Sequence, residues 1–237
     1  MKLLSPNSAY WYQRNGVTCY TAPSLKDESY PTRPRDVCEL GLLPSVTNIL
    51  GLIAKWGVAD SQTTRDGAAD FGTAFHAGAE RITHTLEVDR MDLLSSRLSR
   101  YRDWYQANSL VLCWPEKVLA HPECGYASTI DLLIEHPAHE LTLVDLKTMK
   151  VKPGMKATLN KSWGHQLAAY RWALSEPVKC MNLIVNSLEP SAPIKHVWTD
   201  DEIETGWQAF MSAYRLRVIE KGYDPSAKAS TEMMLAA

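Results

Sequence analysis

Asp131 and Asp145 have 13 residues between them. Each belongs to a strand-like run, Tyr126–Ile134 and Leu141–Lys147, and residues 135–140 read as the turn that joins them. Adjacent strands lie under ~5 Å apart, so both carboxylates can converge on one hard cation. Lys147 stands two positions after Asp145, and strand alternation puts the two side chains on one face. A carboxylate pair with a lysine beside it is the equipment of metal-assisted phosphodiester hydrolysis. The carboxylates hold the ion, the ion polarises the phosphate and acidifies a water, and the ammonium offsets developing charge. The plain alternative for Asp145-Leu146-Lys147 is a solvated strand edge carrying a surface ion pair. Against it stand Leu141, Leu143, Val144 and Leu146, because a charge set in an apolar run needs a partner.

Three further groups belong to the same chemistry. His76 and Glu80 are four apart in a helical pattern and share a face, which makes His76 a candidate metal ligand; the alternative is an ordinary core or surface histidine. Gln166 and Tyr170 are also four apart on a predicted helix, where the alternative is a buried tyrosine. Lys147, Lys150, Lys152, Lys156 and Lys161 follow one another with no acidic residue from 146 to 175. Over residues 147–195 eight basic residues face two acidic ones, a local +6 in a chain of formal charge −2. A charge run is often only a solvated face. This one starts at the proposed metal site, so Lys150, Lys152, Lys156 and Lys161 are candidates for a phosphate track.

These residues need elements to carry them. The chain has 237 residues, 45% hydrophobic and 22% charged, enough to bury a core in one large domain or two small ones. Helical periodicity runs from Ser45 to Trp56, from about Asp66 to Leu86, and from Met91 to Asn108. Gly72 and Gly78 sit inside the second of these, at up to ~1 kcal/mol each against Ala, a cost that close approach of another backbone would explain. Val111–Trp114, Glu116–Ala120, Val178–Ser187 and Ile194–Trp198 join the two runs above as strands. Ser162–Leu174 and Asp200–Glu220 read as helices, the second with Asp200, Asp201, Glu202 and Glu204 where the macrodipole favours them. This order predicts an α/β fold: one mixed sheet flanked by helices, with a helical N-terminal part.

Residues 1–44 are dense in proline and read as an irregular arm. Its aromatics Tyr10, Trp11, Tyr12, Tyr20 and Tyr30 are expected to pack on the main body, with base stacking as the alternative. Residues 45–224 then form one domain and 225–237 a flexible tail. No run approaches the ~20 apolar residues of a membrane span, and Met1–Pro6 lacks the apolar core of a leader. Five cysteines, an odd number, argue for a reducing compartment. The expectation is a cytoplasmic globular protein with no membrane partner. Cys113, His121 and Cys124 miss zinc-finger spacing, and no Walker loop is present.

Four blocks occur together: Gly72-Thr73-x-x-His76, Gly125-Tyr126-x-x-x-Ile130-Asp131, Val144-Asp145-Leu146-Lys147-Thr148 and Gln166-x-x-x-Tyr170. In order and spacing they resemble the RecB-like branch of the PD-(D/E)XK nuclease superfamily, above all its phage and mitochondrial-type exonucleases, over about residues 44–190. Pro44-Ser45-Val46-Thr47 is also similar to phage members. The resemblance implies a restriction-endonuclease-like core. It implies that Asp131, Asp145, the Leu146 carbonyl and His76 ligate Mg²⁺ or Mn²⁺, with Lys147 at the attacking water. Gln166 and Tyr170 would orient the site and the DNA backbone. Glu116 matches an acidic position of some members, on the strand before the first aspartate, and is an auxiliary catalytic candidate. Ile130 replaces the superfamily's eponymous proline, as is common in this branch. Relatives with an iron–sulfur cluster carry three cysteines after the nuclease core; here only Cys180 follows Tyr170, so no iron–sulfur cluster is expected.

The function so implied is a metal-dependent DNA exonuclease in the recombination, repair or replication of a phage or bacterium, with DNA and a recombination or replication protein as partners. An endonuclease, a DNA-binding module without turnover, and a phage assembly protein are the alternatives.

Overall fold

The computed structural model describes residues 11–12, 18–19, 41–54, 62–89, 94–108, 111–115, 117–121, 123–135, 141–174 and 177–226. In chain order the elements are β1 (Trp11–Tyr12), β2 (Thr18–Cys19), β3 (Leu43–Pro44), α1 (Val46–Ala54), α2 (Gln62–Thr85), α3 (Ser95–Ala107), β4 (Val111–Pro115), β5 (Val118–Ala120), β6 (Ala127–Thr129), β7 (Leu132–Glu135), β8 (Leu141–Met149), α4 (Lys161–Trp172), β9 (Lys179–Asn186), β10 (Ile194–Trp198) and α5 (Asp200–Lys221).

A five-stranded sheet of order β10-β9-β8-β7-β4 forms the centre. Its neighbours are antiparallel except β8 and β9, which run parallel because α4 carries the chain across between them. Alternation along β8 serves both faces. Leu143 packs with residues of α1, α4 and α5, whereas Val144 and Leu146 pack with residues of α2 and α3. The sheet is therefore covered by a helical layer on each side, the mixed α/β arrangement expected from the element order.

Local chemistry sets the helix starts. Asn160 caps α4 by accepting the Ser162 N–H at 3.0 Å. Thr199 and Glu202 form a capping box at α5, with Asp200, Asp201 and Glu202 in its first turn. The second predicted helix begins earlier than its apolar pattern suggests, at Gln62. Its Gly78 faces a side chain and not a backbone: a Cβ there would lie 2.7 Å from both Leu98 methyls of α3.

The run 126–134, read as one strand, is two. β6 pairs with β5 in a separate two-stranded sheet, and β7 pairs with β4 and β8 in the central one. The chain changes sheets at Ile130-Asp131. The described part of the N-terminal arm also forms a small sheet, β2-β1-β3, whose strands are two residues long. Tyr12 is buried with Leu43 and Ala127, its hydroxyl 3.3 Å from Thr129 Oγ1; Tyr10, Tyr20 and Tyr30 lie outside the described residues. At the other end Pro225 and Ser226 lie against Gly125, and Ser226 donates to Asp224 through N–H and Oγ–H at 2.9 and 2.6 Å. No helix among the described residues is long and apolar enough to cross a membrane.

Candidate active site

The break between β6 and β7 is what presents Asp131. The β7–β8 register ends at Leu132↔Val144, so Asp131 emerges one position beyond the paired stretch, near Asp145. Asp131 Oδ2 accepts the Leu146 N–H at 2.6 Å, and Oδ1 lies 3.1 Å from His76 Nδ1. His76 arrives on α2, from the helical layer opposite α4. At Gly72, one turn before His76, a Cβ would stand 3.3 Å from Thr148 Oγ1, so the missing side chain lets α2 approach β8 beside the site.

Asp145 lies in the middle of β8 and is 2% exposed. Lys147 reaches back along the same face, its Nζ 2.8 and 2.7 Å from the two carboxylate oxygens. The same ammonium donates to Gln166 Oε1 at 3.1 Å. Gln166 Nε2 donates in turn to the Tyr170 hydroxyl at 2.5 Å, which also receives Ser128 Oγ–H at 3.3 Å. Tyr126 fixes α4 from below: its hydroxyl donates to the Ala169 carbonyl at 2.8 Å. Gly125 makes this turn possible, with φ +65° and Pro225 packed where a Cβ would fall.

Burial and charge pull against each other here. Burial is the strongest influence on Asp131 and raises its pKa, but His76, Lys147 and the Leu146 N–H outweigh it and hold the carboxyl below its ordinary range. Burial likewise presses His76 down most strongly; the Asp131 charge and hydrogen bond overcome it, and the imidazole is raised. Asp145 goes the other way. Burial pushes it up to about 6, with Asp131 adding to the effect, although Lys147 is in contact. The ion pair is real, but one lysine does not offset the desolvation of a carboxylate with a second carboxylate opposite. Burial also raises the Tyr170 hydroxyl well above the phenol range, so it stays neutral.

The structure thus gathers His76, Asp131, Asp145, Lys147, Gln166 and Tyr170 from α2, the β6–β7 break, β8 and α4. Tyr170 differs from its expected role at the DNA backbone. It is 4% exposed with its hydroxyl committed to Gln166 and Ser128, so it supports the site from inside. Leu146 touches Asp131 through its N–H; its side chain is buried on the other face of β8. Lys150, Lys152 and Lys156 are exposed between β8 and α4. Lys161 is exposed as well, and it lines a groove of about 340 Å³ shared with Trp198, Asp201 and Glu202. Glu116 lies outside the described residues.

Asn182, Trp198 and Ser128 are site residues that sequence reasoning missed. Asn182 Nδ2 donates to Asp145 Oδ2 at 2.6 Å and Trp198 Nε1 donates to Asn182 Oδ1 at 2.7 Å. The available signal was one amide inside the apolar run Val178–Val185, where a polar group needs a partner.

A hard divalent cation suits the donors present. The separation of His76 Nδ1 and Asp131 Oδ1, 3.1 Å, matches the roughly 3 Å edge of an octahedron with ligands ~2.1 Å from its centre. The raised Asp145 carboxyl marks more buried negative charge than Lys147 offsets. Asp145 itself faces Lys147 and Asn182, and among the described residues no three His, Cys, Asp or Glu side chains close into a ready cage.

No family model matches the chain, and no curated protein does. Among solved structures it is similar to a candidate exonuclease from Eubacterium rectale, with TM-score 0.40 and 11% identity over 77% of this chain and 76% of that one. It is also similar to an alkaline exonuclease from Laribacter hongkongensis, with TM-score 0.36 and 14% identity over 76% of this chain and 91% of the other. Neither likeness is strong enough to give a role to any residue of this chain.

Proposed function

We propose that the chain is a Mg²⁺- or Mn²⁺-dependent deoxyribonuclease, working as an exonuclease in the recombination, repair or replication of a phage or bacterium. One observation carries the reading. Two hydrogen-bonded groups, Asp131–His76 and Asp145–Lys147–Gln166, meet at β8, where Asp131 also accepts the N–H of Leu146 next to Asp145, and a structural ion pair has no need of so many charged groups. The exonuclease form, and DNA as substrate, follow the resemblance of the four sequence blocks.

His76, Asp131, Asp145 and the Leu146 carbonyl would hold the ion, which supplies Lewis acidity toward a phosphate oxygen and the attacking water. The chain's own residues do the rest. Lys147 is clamped between Asp145 and Gln166, so its remaining N–H is fixed in direction. An ammonium held in that way donates to the attacking water or to a non-bridging phosphate oxygen and offsets the charge that grows there. Gln166 keeps the lysine in place, and Tyr170 with Ser128 keeps the amide in place. Without the ion, Asp131 Oδ1 meets His76 Nδ1 and sets the direction of the imidazole; with it, the two atoms would be ligands side by side. Lys150, Lys152 and Lys156 attract the polyanion ahead of the reaction.

End-labelled linear DNA and closed circular DNA, incubated with Mn²⁺ or EDTA, test the proposal. Mononucleotides from linear DNA only, abolished by EDTA and by Asp131→Ala/Asp145→Ala, are expected. Lys147→Met should lower the rate about 10²–10³-fold. Nicked circles would make the protein an endonuclease, and cleavage surviving in the double variant would remove both aspartates from the reaction.

A further inference from the structure

We infer that Asn182 is a positioning residue for Asp145, holding that carboxylate toward the cation, and that Trp198 locks the amide which does so. The inference rests on Asp145 being a metal ligand, as proposed above. β8 and β9 run parallel in a register that pairs Asp145 with Asn182, so the two side chains emerge side by side on one face of the sheet. Asn182 is fully buried between the apolar pairs Cys180-Met181 and Leu183-Ile184, away from Lys179 and Asn186 at the two ends of the strand. Such a site favours Val or Ile; an amide there must earn hydrogen bonds at both ends. It has them. Nδ2 donates to Asp145 Oδ2 at 2.6 Å and to the Asp145 carbonyl at 3.3 Å, and Oδ1 accepts from Trp198 at 2.7 Å.

The chemistry of the third residue decides which way the amide points. An indole N–H donates and never accepts, so the atom facing Trp198 must be the oxygen, and the NH₂ must face Asp145. β9 and β10 pair Asn182 with His196, which puts Trp198 at the diagonal position on the same face. The Trp198 ring is held in its turn by Gly164 of α4, where a Cβ would meet it at 3.0 Å, and by the edge of His196, with centroids 4.6 Å apart. Lys147 therefore spans the two carboxylate oxygens, and Asn182 is a second, fixed donor to Oδ2. With Oδ2 held by Asn182, rotation of the carboxylate about its last bond is restricted, and its remaining lone pairs keep one direction. Residues that orient a ligand in this manner affect metal affinity about 10–100-fold when removed.

Mn²⁺ affinity, read from free Mn²⁺ by electron paramagnetic resonance, and the kcat and KM for linear DNA test the role. Asn182→Leu keeps the volume and removes the donor. It should weaken Mn²⁺ binding about 10–100-fold and lower kcat, with KM for DNA little changed. Trp198→Phe keeps a ring over Gly164 and removes only the N–H; a smaller loss in the same two quantities is expected. Wild-type Mn²⁺ affinity in a folded Asn182→Leu would overturn the inference. Should Asn182→Leu fail to fold, unchanged Mn²⁺ affinity and kcat in Trp198→Phe would overturn it equally. A wild-type protein that binds no Mn²⁺ would instead overturn the metal-site reading itself, and this role with it.

Discussion

The metal-free protein should lose stability as pH rises through the range where Asp145 ionises. Burial pushes this carboxyl up to about 6 from 3.8, a difference of about 3 kcal/mol between its two protonation states. The folded state binds the proton more tightly than the unfolded chain. This group therefore adds stability in acid, and the addition is lost as pH climbs from about 4 through about 6. His76 acts in the same sense: raised by Asp131, it contributes below its ordinary 6.5 and stops contributing above its higher folded value. His121 and His165, which burial lowers, act in the opposite sense. Asp131, held low, adds stability above its ordinary 3.8 and loses it only in stronger acid.

Because these contributions overlap, the measurement is a difference between two proteins. Thermal melts in EDTA from about pH 4 to about pH 7 are compared for wild type and Asp145→Asn. For a chain of 237 residues, about 3 kcal/mol corresponds to roughly 6–12 °C of Tm. Wild type should fall by that much more than the variant over the interval. Mn²⁺ should then restore wild type most strongly near neutral pH, where the unrelieved charge is largest, and should do little for Asp145→Asn. Parallel Tm profiles for the two proteins would refute the account of Asp145 as an under-compensated carboxylate.

Further outcomes follow from other parts of the molecule. Lys152→Ala should weaken DNA binding for all sequences alike and reduce the slope of log K against log salt by about 0.7–0.9, measured by salt titration in EDTA; a loss confined to one sequence would mean base reading. Gly125→Ala should lower Tm more than Gly78→Ala. At Gly125 the φ of +65° and the Pro225 backbone 2.7 Å from a Cβ leave no escape, whereas at Gly78 the obstacle is the movable end of Leu98 and helix propensity returns up to ~1 kcal/mol. Asn160→Ala should cost about 1 kcal/mol through the lost cap of α4, read by chemical denaturation.

What could be read from the letters alone was what depends on short-range periodicity. Asp145 and Lys147 share a face because strands alternate, and Gln166 reaches Tyr170 because helices return after four residues. Both relations hold in space. The polar outliers in apolar runs were also legible in kind, since a charge among Leu143, Val144 and Leu146 had to have partners. Identifying those partners required tertiary information. Nothing in residues 126–134 marks the exchange of one sheet for another at Ile130-Asp131, because both halves have strand propensity and sheet membership is decided by what lies alongside. Asn182 and Trp198 escaped for a similar reason. Their link to Asp145 runs across three strands, through registers that no local pattern encodes.

The distribution of these partners explains how the cluster is held, with Asp145 and Lys147 on β8, His76 and Gln166 on helices and Asp131 at the break between two strands. Asp145 is paired with Asn182 of β9 and follows directly on the last β7 pair, Leu132↔Val144, so its backbone cannot drift relative to Asn182 without breaking sheet hydrogen bonds. Lys147 is long and flexible by nature, and its order is borrowed from α4 through Gln166. The position of α4 is fixed in turn by Tyr126 beneath it and by α5, which meets it so closely that a Cβ on Gly206 would lie 3.0 Å from the Gly164 carbonyl oxygen. Precision at the ammonium thus derives from backbone contact between two helices, one of which, α5, supplies no residue to the hydrogen-bonded cluster. A site that must hold two carboxylates and a lysine in low dielectric gains from such rigidity, because charge placed without water has little else to compensate a displacement.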